Sequence, residues 1–357
     1  ALPIYAVGAQ EIADRPVAVA GGALGGVDRL VDVELAASVL ASGDAEQASA
    51  LAAQVRAMEE YVDIAKTLFI VSSKSGGTTE PNVMKDYFFD RVAKAIGKDK
   101  AGHRFIAVTD PGSSLQKVAI KQGFARIFYG DPAIGGRYSV LSPFGLVPAA
   151  AAGIDVRSLL GHTLAMVRSC GADVPPQENP GVQLGLAMGI AGLEGRDKVT
   201  LFASPDVADF GAWAEQLIAE STGKDGKGLV PIEGETIGDA AVYGNDRFFI
   251  DLRTEREHDA AHEAKLAALE AAGHPVVRIV MKSIDHIGQE FFRFEIATAV
   301  AGSILGINPF NQPDVEAAKI KTRELTARFD IERARQEAEA QRERTVDQLR
   351  DGRLDIL

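Results

Sequence analysis

Cysteine is almost absent: Cys170 is the single one in 357 residues. No disulfide can form within this stretch, so a disulfide scaffold is excluded and a reducing cytoplasm is the expected setting. No apolar run reaches the roughly 18–20 residues that a membrane helix needs. Positive charge is short, with 38 Lys and Arg against 50 Asp and Glu and a net charge of −12. Phosphate backbones and anionic membranes demand clustered Lys and Arg, so neither nucleic acid nor membrane is expected as a partner. An anionic small molecule is still compatible, through a local pocket rich in donors. Aromatics make up only 6% of the chain and show no basic interleaving suited to stacking bases. There is no Pro-rich or Ser-rich linker and no short repeat. No basic stretch followed by an apolar block opens the chain, so a signal peptide is not expected. What remains is a globular composition, 46% apolar and 25% charged, of a length that predicts about two domains.

The pattern that is present is strand, turn, helix. Thr67 to Ser72 (TLFIVS) is a short apolar, β-branched run. It empties into a Ser/Gly/Thr turn, and Pro81 then opens a helical spacing of Val83, Met84, Tyr87, Phe88, Val92 and Ala93. Arg104 to Thr109 repeats the pattern, with a turn at Asp110 to Ser114 and a helix from about Leu115; Ala125 to Tyr129 is a further strand. A second series has strands over Val199–Ala203, Arg247–Leu252 and Val276–Met281, and helices over Phe210–Ser221, His258–Ala272 and Gly288–Leu305. Such alternation predicts an α/β fold with parallel sheets covered on both faces. The two series predict two domains joined near residues 165–180, where Cys170 to Pro180 supplies a polar, Pro-bearing connection. Residues 35–60 are Ala-rich and residues 320–350 highly charged, and both read as helix.

Four segments carry chemistry. In Ser72-Ser73-Lys74-Ser75-Gly76-Gly77-Thr78-Thr79-Glu80-Pro81, a buried strand runs into hydroxyls and glycines just before a helix. Helix N-termini leave N–H groups unpaired and carry partial positive charge, glycines let backbone approach an anion, and Lys74 adds charge. The segment reads as a phosphate cradle, although a polar turn with a good cap has the same pattern, and it is not a Walker A loop. Gly135-Gly136-Arg137 presents an arginine that can stabilise an oxyanion without giving up its proton; a structural ion pair is the alternative. In Glu220-Ser221-Thr222-Gly223-Lys224-Asp225-Gly226-Lys227, a carboxylate at a helix end can serve as general base, and a capping turn with solvated lysines is the alternative. Asn308 to Lys319 bounds a stiff turn with two prolines, from which Gln312 and Lys319 can reach one cleft.

Taken in order, TLFIVSSKSGGTTEPN, GGRYSVLSPFGLVPAA, AESTGKDGKG and INPFNQPDVEAAK make the chain resemble the phosphoglucose isomerase family, built from two sugar-isomerase (SIS) domains. It is most similar to the isomerase half of the bacterial fused transaldolase/phosphoglucose isomerases. The resemblance covers roughly Ile64 to Thr322. It implies a first SIS domain over residues 1–165, with the phosphate loop at 72–80, a second over 175–312, and a helical segment over 313–357. It implies interconversion of glucose 6-phosphate and fructose 6-phosphate through an enediol. By the same resemblance, Ser73, Lys74, Ser75 and Thr78 hold the sugar phosphate and Arg137 steadies the enediolate. Glu220 moves the proton between C2 and C1, Gln312 contacts substrate, and Lys319 assists ring opening. No metal or organic cofactor is implied. A homodimer is implied, as is a transaldolase domain or partner.

The chain departs from the family's pattern in three places. Ala23 stands where the first glycine loop has a serine, and Gly77 stands where threonine is usual. No histidine lies between Glu220 and His258 to take the ring-opening role, which leaves His258 as a candidate. Residues 1–60 and the tail after about Thr322 also leave the pattern, so a truncated or remodelled chain is one expectation. A non-catalytic sugar-phosphate-binding SIS module and a structural remnant are the rival readings. Glu220, Arg137 and Lys319 together favour the enzyme, because a sensor needs no such set. His258 and His262 stand four apart, as in a zinc helix, but Asp259 is too short for that motif's base and no third ligand follows, so a solvated helix face is expected. Cys170 has no motif for a nucleophile, and the other histidines are expected to pack or sit at the surface. The Asp110–Ser114 turn is expected to end a strand rather than contact sugar.

Overall fold

A computed structural model describes residues 62–313 other than Thr78 and His258, together with Glu59 and the segments 4–7 and 18–19. The Ala-rich stretch at 35–60, but for Glu59, lies outside the described residues, as do Ala23 and the charged stretch at 320–350. The chain divides into two units, residues 1–310 and 311–357, and everything below concerns the first unless stated.

Two sheets organise the first unit. In one, β1 (Ile4–Val7), β2 (Ala18–Val19), β3 (Leu68–Ser72), β4 (Phe105–Thr109) and β5 (Arg126–Tyr129) lie in the order β2-β1-β3-β4-β5. The pairs β3–β4 and β4–β5 are parallel, with Phe69 opposite Phe105 and Ala107 opposite Ile127. The pairs of β1 with β2 and β3 are antiparallel, which makes this sheet mixed rather than wholly parallel. In the other sheet, β6 (Lys198–Ala203), β7 (Val230–Ile232), β8 (Arg247–Thr254) and β9 (Val276–Met281) are all parallel in the order β7-β6-β8-β9. Parallel strands need crossovers, and helices supply them. In chain order these are α1 (Thr79–Ile96), α2 (Ser114–Gln122), α3 (Pro143–Ala151), α4 (Val156–Ser169), α5 (Pro180–Leu193), α6 (Phe210–Thr222), α7 (Ala260–Ala271) and α8 (Ile287–Leu305).

The strands read from the sequence all form, within a residue or two of the expected ends. The helix expected from Pro81 starts at Thr79, with Pro81 in its first turn where its missing N–H costs nothing. Helices α3, α4 and α5 and strand β7 carry no equally clear signal. The reason is visible in α5, PGVQLGLAMGIAGL. Its glycines weaken helix propensity, but they let α8 approach: a Cβ on Gly185 would come within 2.6 Å of the Ala297 carbonyl oxygen. Contact with α8 therefore overrides local preference.

Four buried apolar clusters result among the described residues, and the two larger ones position the site. Behind the first sheet, Phe69 stacks between Phe88 and Phe105 at 5.0 Å from each, and Phe89 and Phe124 extend the cluster. Behind the second, Phe294, Ala297 and Ala301 of α8 pack with Leu184 and Met188 of α5 and Leu217 and Ile218 of α6. Helix α8 thus serves as a central post. Among the described residues, no helix is long and apolar enough to cross a membrane.

Candidate active site

The loop after β3 is held by its own hydroxyls and by the end of β4. Ser73 is buried; its N–H donates to the Val108 carbonyl, and its Oγ accepts from Gly76 N–H at 3.2 Å. Ser75 Oγ accepts from Gly77 N–H at 3.2 Å, and Thr109 Oγ1 donates to the Ser73 carbonyl at 2.6 Å. Gly76 has φ of +69°, and a Cβ there would sit 2.3 Å from Leu115 N at the start of α2. Only glycine meets both conditions. The loop therefore lies against the first turn of α2 and leads directly into α1, so backbone donors at a helix start border it.

Lys74 behaves differently from its neighbours. Its Nζ lies 2.9 Å from both Asp110 carboxylate oxygens and 2.9 Å from the Asp131 carbonyl oxygen, with the Phe144 ring 5.2 Å below. The ammonium ties the loop after β3 to those after β4 and β5. Asp110 is thus the lysine's counter-ion, a role the turn's sequence did not signal. Thr78 lies outside the described residues.

The segment after β5 brings in the arginine. Gly136–Tyr138 forms a short helical turn, pinned by Ser139 Oγ donating to the Gly136 carbonyl and Ser142 Oγ donating to the Ser139 carbonyl, each at 2.6 Å. A Cβ on Gly136 would lie 4.0 Å from Lys74 Cδ, so this turn abuts the loop after β3. The next residue, Arg137, brings its Nε to 3.5 Å from Glu220 Oε2. The two partners differ in solvent access: the Arg137 side chain is 2% exposed and that of Glu220 36%. Burial pulls the Arg137 pKa below its ordinary value, and the Glu220 charge pulls part of the way back. The guanidinium is thus a fixed buried cation, and the carboxylate beside it still meets solvent.

Three contacts hold this junction, and each involves a residue the sequence reading did not single out. Tyr138 donates its hydroxyl to Ser221 Oγ at 3.2 Å, and its ring meets Phe310 at 5.2 Å. Gln216, one turn before Glu220 on α6, brings its Nε2 to 3.5 Å from Glu220 Oε1. Their signals were an aromatic next to the candidate arginine and an amide at i−4 from the candidate base. Both lysines of the α6 terminus are bonded, Lys224 in the interior and Lys227 at the exposed surface. Lys224 is buried and donates to the Asn308 carbonyl at 2.6 Å, and Lys227 donates to the Leu305 carbonyl at 2.9 Å, satisfying the C-terminal end of α8.

The structure therefore brings Arg137 and Glu220 together and sets the turn carrying Arg137 against the loop of Ser73, Lys74 and Ser75. Gln312 belongs to the second unit, and Lys319 and His258 lie outside the described residues. His262 faces Asp251 at 2.7 Å instead of standing on a solvated face, and Asp251 is buried on β8. Among the described residues, no group of three or more His, Cys, Asp or Glu is arranged to hold a metal ion.

Comparison with known proteins adds to this geometry. The family model described as phosphoglucose isomerase matches residues 48–238. A glucose-6-phosphate isomerase of Parabacteroides distasonis is 32% identical over 286 residues, which is 69% of this chain and 64% of the relative. One from Caldanaerobacter subterraneus is 32% identical over 308 residues, covering 75% of this chain and 68% of the relative. The chain thus spans just under two thirds of the length of the Parabacteroides protein. A solved glucose-6-phosphate isomerase from Chlamydia trachomatis shares the fold, with a TM-score of 0.63 at 20% identity, over 78% of this chain and 62% of the other. With matches of this extent, the chain belongs to the phosphoglucose isomerase family.

Proposed function

We propose that the chain interconverts glucose 6-phosphate and fructose 6-phosphate as an aldose–ketose isomerase. The observation that carries this reading is the approach of buried Arg137 to half-exposed Glu220, 3.5 Å apart, beside a hydroxyl- and glycine-lined loop at a helix start. A proton α to a carbonyl leaves readily only if the new oxyanion is met by fixed positive charge. Glu220 takes the proton from C2 and its carboxyl returns it to C1, while the hydroxyl proton passes from O2 to O1 and the negative charge that develops on these oxygens is met by Arg137. No electron leaves the substrate, so the exchange needs no redox partner. The phosphate lies in the loop of Ser73, Ser75 and Thr78 against the start of α1. Lys74 serves chiefly to hold that loop's shape, since its ammonium already faces Asp110 and the Asp131 carbonyl. Gln312 contacts the sugar, and Lys319 assists ring opening.

The same reading assigns a first SIS domain to residues 1–165, a second to 175–312 and a helical segment to 313–357. It further proposes a homodimer, a transaldolase domain or partner, and a cytoplasmic setting. Light scattering on the purified chain checks the dimer by its mass.

The deciding experiment supplies fructose 6-phosphate to the purified chain and follows glucose 6-phosphate in a coupled assay, with Glu220→Gln as control. Turnover that vanishes in the variant, with phosphosugar binding retained, upholds the reading. Binding without turnover in both proteins replaces it with a sugar-phosphate-binding module. Equal loss of binding and turnover in the variant removes Glu220 from the role of base.

A further inference from the structure

The loop from Ser73 to Thr78 carries a single cationic side chain, Lys74, and the structure gives that ammonium a fixed place. Asp110 grips Lys74 at both ends. Its N–H donates to the Lys74 carbonyl at 3.1 Å, and its two carboxylate oxygens each lie 2.9 Å from Nζ. The Asp131 carbonyl oxygen is a third neighbour at 2.9 Å. The Asp131 carboxylate serves its own loop, accepting from Ala133 N–H at 2.8 Å. Asp110 is therefore the only carboxylate within ion-pair distance of Lys74 among the described residues. The pair is mostly withdrawn from water, with side chains 20% and 17% exposed, and the ring of buried Phe144 lies 5.2 Å from Nζ. Gly130 makes room for this enclosure: a Cβ there would fall 2.2 Å from Phe144 Cε2 and 2.8 Å from Asp110 Oδ1.

This arrangement has a consequence for anion selection. An ammonium has three N–H donors, and three oxygens already stand around this one. A phosphate can reach it only by displacing one of them. A loose lysine would act as a point charge, which attracts any anion with little demand on geometry. Backbone N–H groups and hydroxyls at a helix start are directional instead, and reward an anion held in one orientation.

We propose that Asp110 is a specificity-determining residue of the phosphate loop. By holding Lys74 it keeps a mobile cation out of the subsite and leaves recognition to the loop's directional donors, so bare inorganic phosphate competes poorly with a phosphosugar. Asp110 acts through Lys74 and not on the substrate. The proposal rests on the reading that this loop takes the substrate's phosphate.

Calorimetry with inorganic phosphate and the coupled assay with fructose 6-phosphate test it on the full chain, Asp110→Asn and Asp110→Asn/Lys74→Gln. Asp110→Asn should bind inorganic phosphate about tenfold more tightly than wild type, because its ammonium lacks a counter-ion. The ratio of the phosphate inhibition constant to KM should fall, with kcat within about threefold. The double variant has no ammonium to release, so its phosphate affinity should return to within about threefold of wild type. Unchanged or weaker phosphate binding in Asp110→Asn would overturn the proposal, and binding in neither protein counts as unchanged. Tightening that persists in the double variant would overturn it too. A measurement on wild type covers the case in which Asp110→Asn fails to fold. The ¹⁵N ammonium signal that disappears in Lys74→Gln should hold its position as phosphate saturates the protein, and a shift that tracks saturation refutes the role. Turnover by wild type with unchanged phosphate affinity in Asp110→Asn sinks this proposal alone. A wild type that binds phosphate but turns nothing over sinks the isomerase reading, and calorimetry still decides the part played by Asp110.

Discussion

The loop after β3 and the Arg137–Glu220 junction form one candidate site by opposite means. The loop is local: its serines bond their own backbone within three residues, and its shape depends on one glycine wedged against α2. The junction joins residues 83 apart in sequence and is propped by Tyr138, Phe310 and the two lysines that end α8. Their supports differ too. Stacked phenylalanines back the loop's sheet, whereas the junction leans on a helix holding the buried carboxyl of Glu290, whose pKa burial raises. The difference teaches how labour is divided. The loop offers uncharged donors suited to binding, while the junction concentrates charge where charge must move. Damage to the loop should appear in KM, and damage to the junction in kcat.

The largest effect should come from removing the base. Glu220→Gln should lower kcat about 10³-fold with KM nearly unchanged, measured in the coupled assay. A parallel rise in KM would erase the contrast between the two regions. Next, Glu290→Gln tests the burden the junction's helix carries. Burial raises the Glu290 pKa from 4.5 to about 7, with Arg293 opposing the shift. The folded state therefore binds more protons than the unfolded one between those values. The stabilising contribution is complete below 4.5 and is lost as pH rises through 7. The variant has no such loss, so its unfolding free energy relative to wild type should climb by about 2.5 kcal/mol between pH 5 and pH 8. Denaturant melts at each pH check this, and a flat difference would refute it.

Arg137→Lys keeps the charge but loses the rigid planar fork, and should lower kcat about 10²-fold with KM within about threefold. Gly76→Ala addresses the other region. It must adopt a left-handed backbone with a Cβ 2.3 Å from Leu115 N, so it should cost about 2 kcal/mol of stability and raise KM several-fold. Its kcat should hold within about twofold. A fall in kcat comparable to that of Arg137→Lys would show that the loop and the junction act as one unit.

How much of this was legible in advance follows the same division. The loop could be read because strand, hydroxyl-glycine turn and helix start are contiguous, and each has its own signature. Arg137 and Glu220 were found one at a time, from a glycine pair and a helix end. Their meeting required the tertiary fold. Lys74 illustrates the limit: as a cation in a phosphate-cradle pattern it reads as an anion ligand, but Asp110, 36 residues on, occupies its ammonium. Lys224 could as well have been a solvated lysine but is buried on the Asn308 carbonyl, because the segment after α8 arrives from 84 residues away.

By itself the sequence determined the α/β alternation, the ends of most strands and the chemical identity of the loop, since apolar period, glycine and capping residues act over a few positions. Tertiary structure alone decided which cation pairs with which anion, which acid is buried and which lysine is bound. Ion pairing, burial and desolvation depend on what the rest of the chain brings within a few ångströms, and no local pattern encodes that.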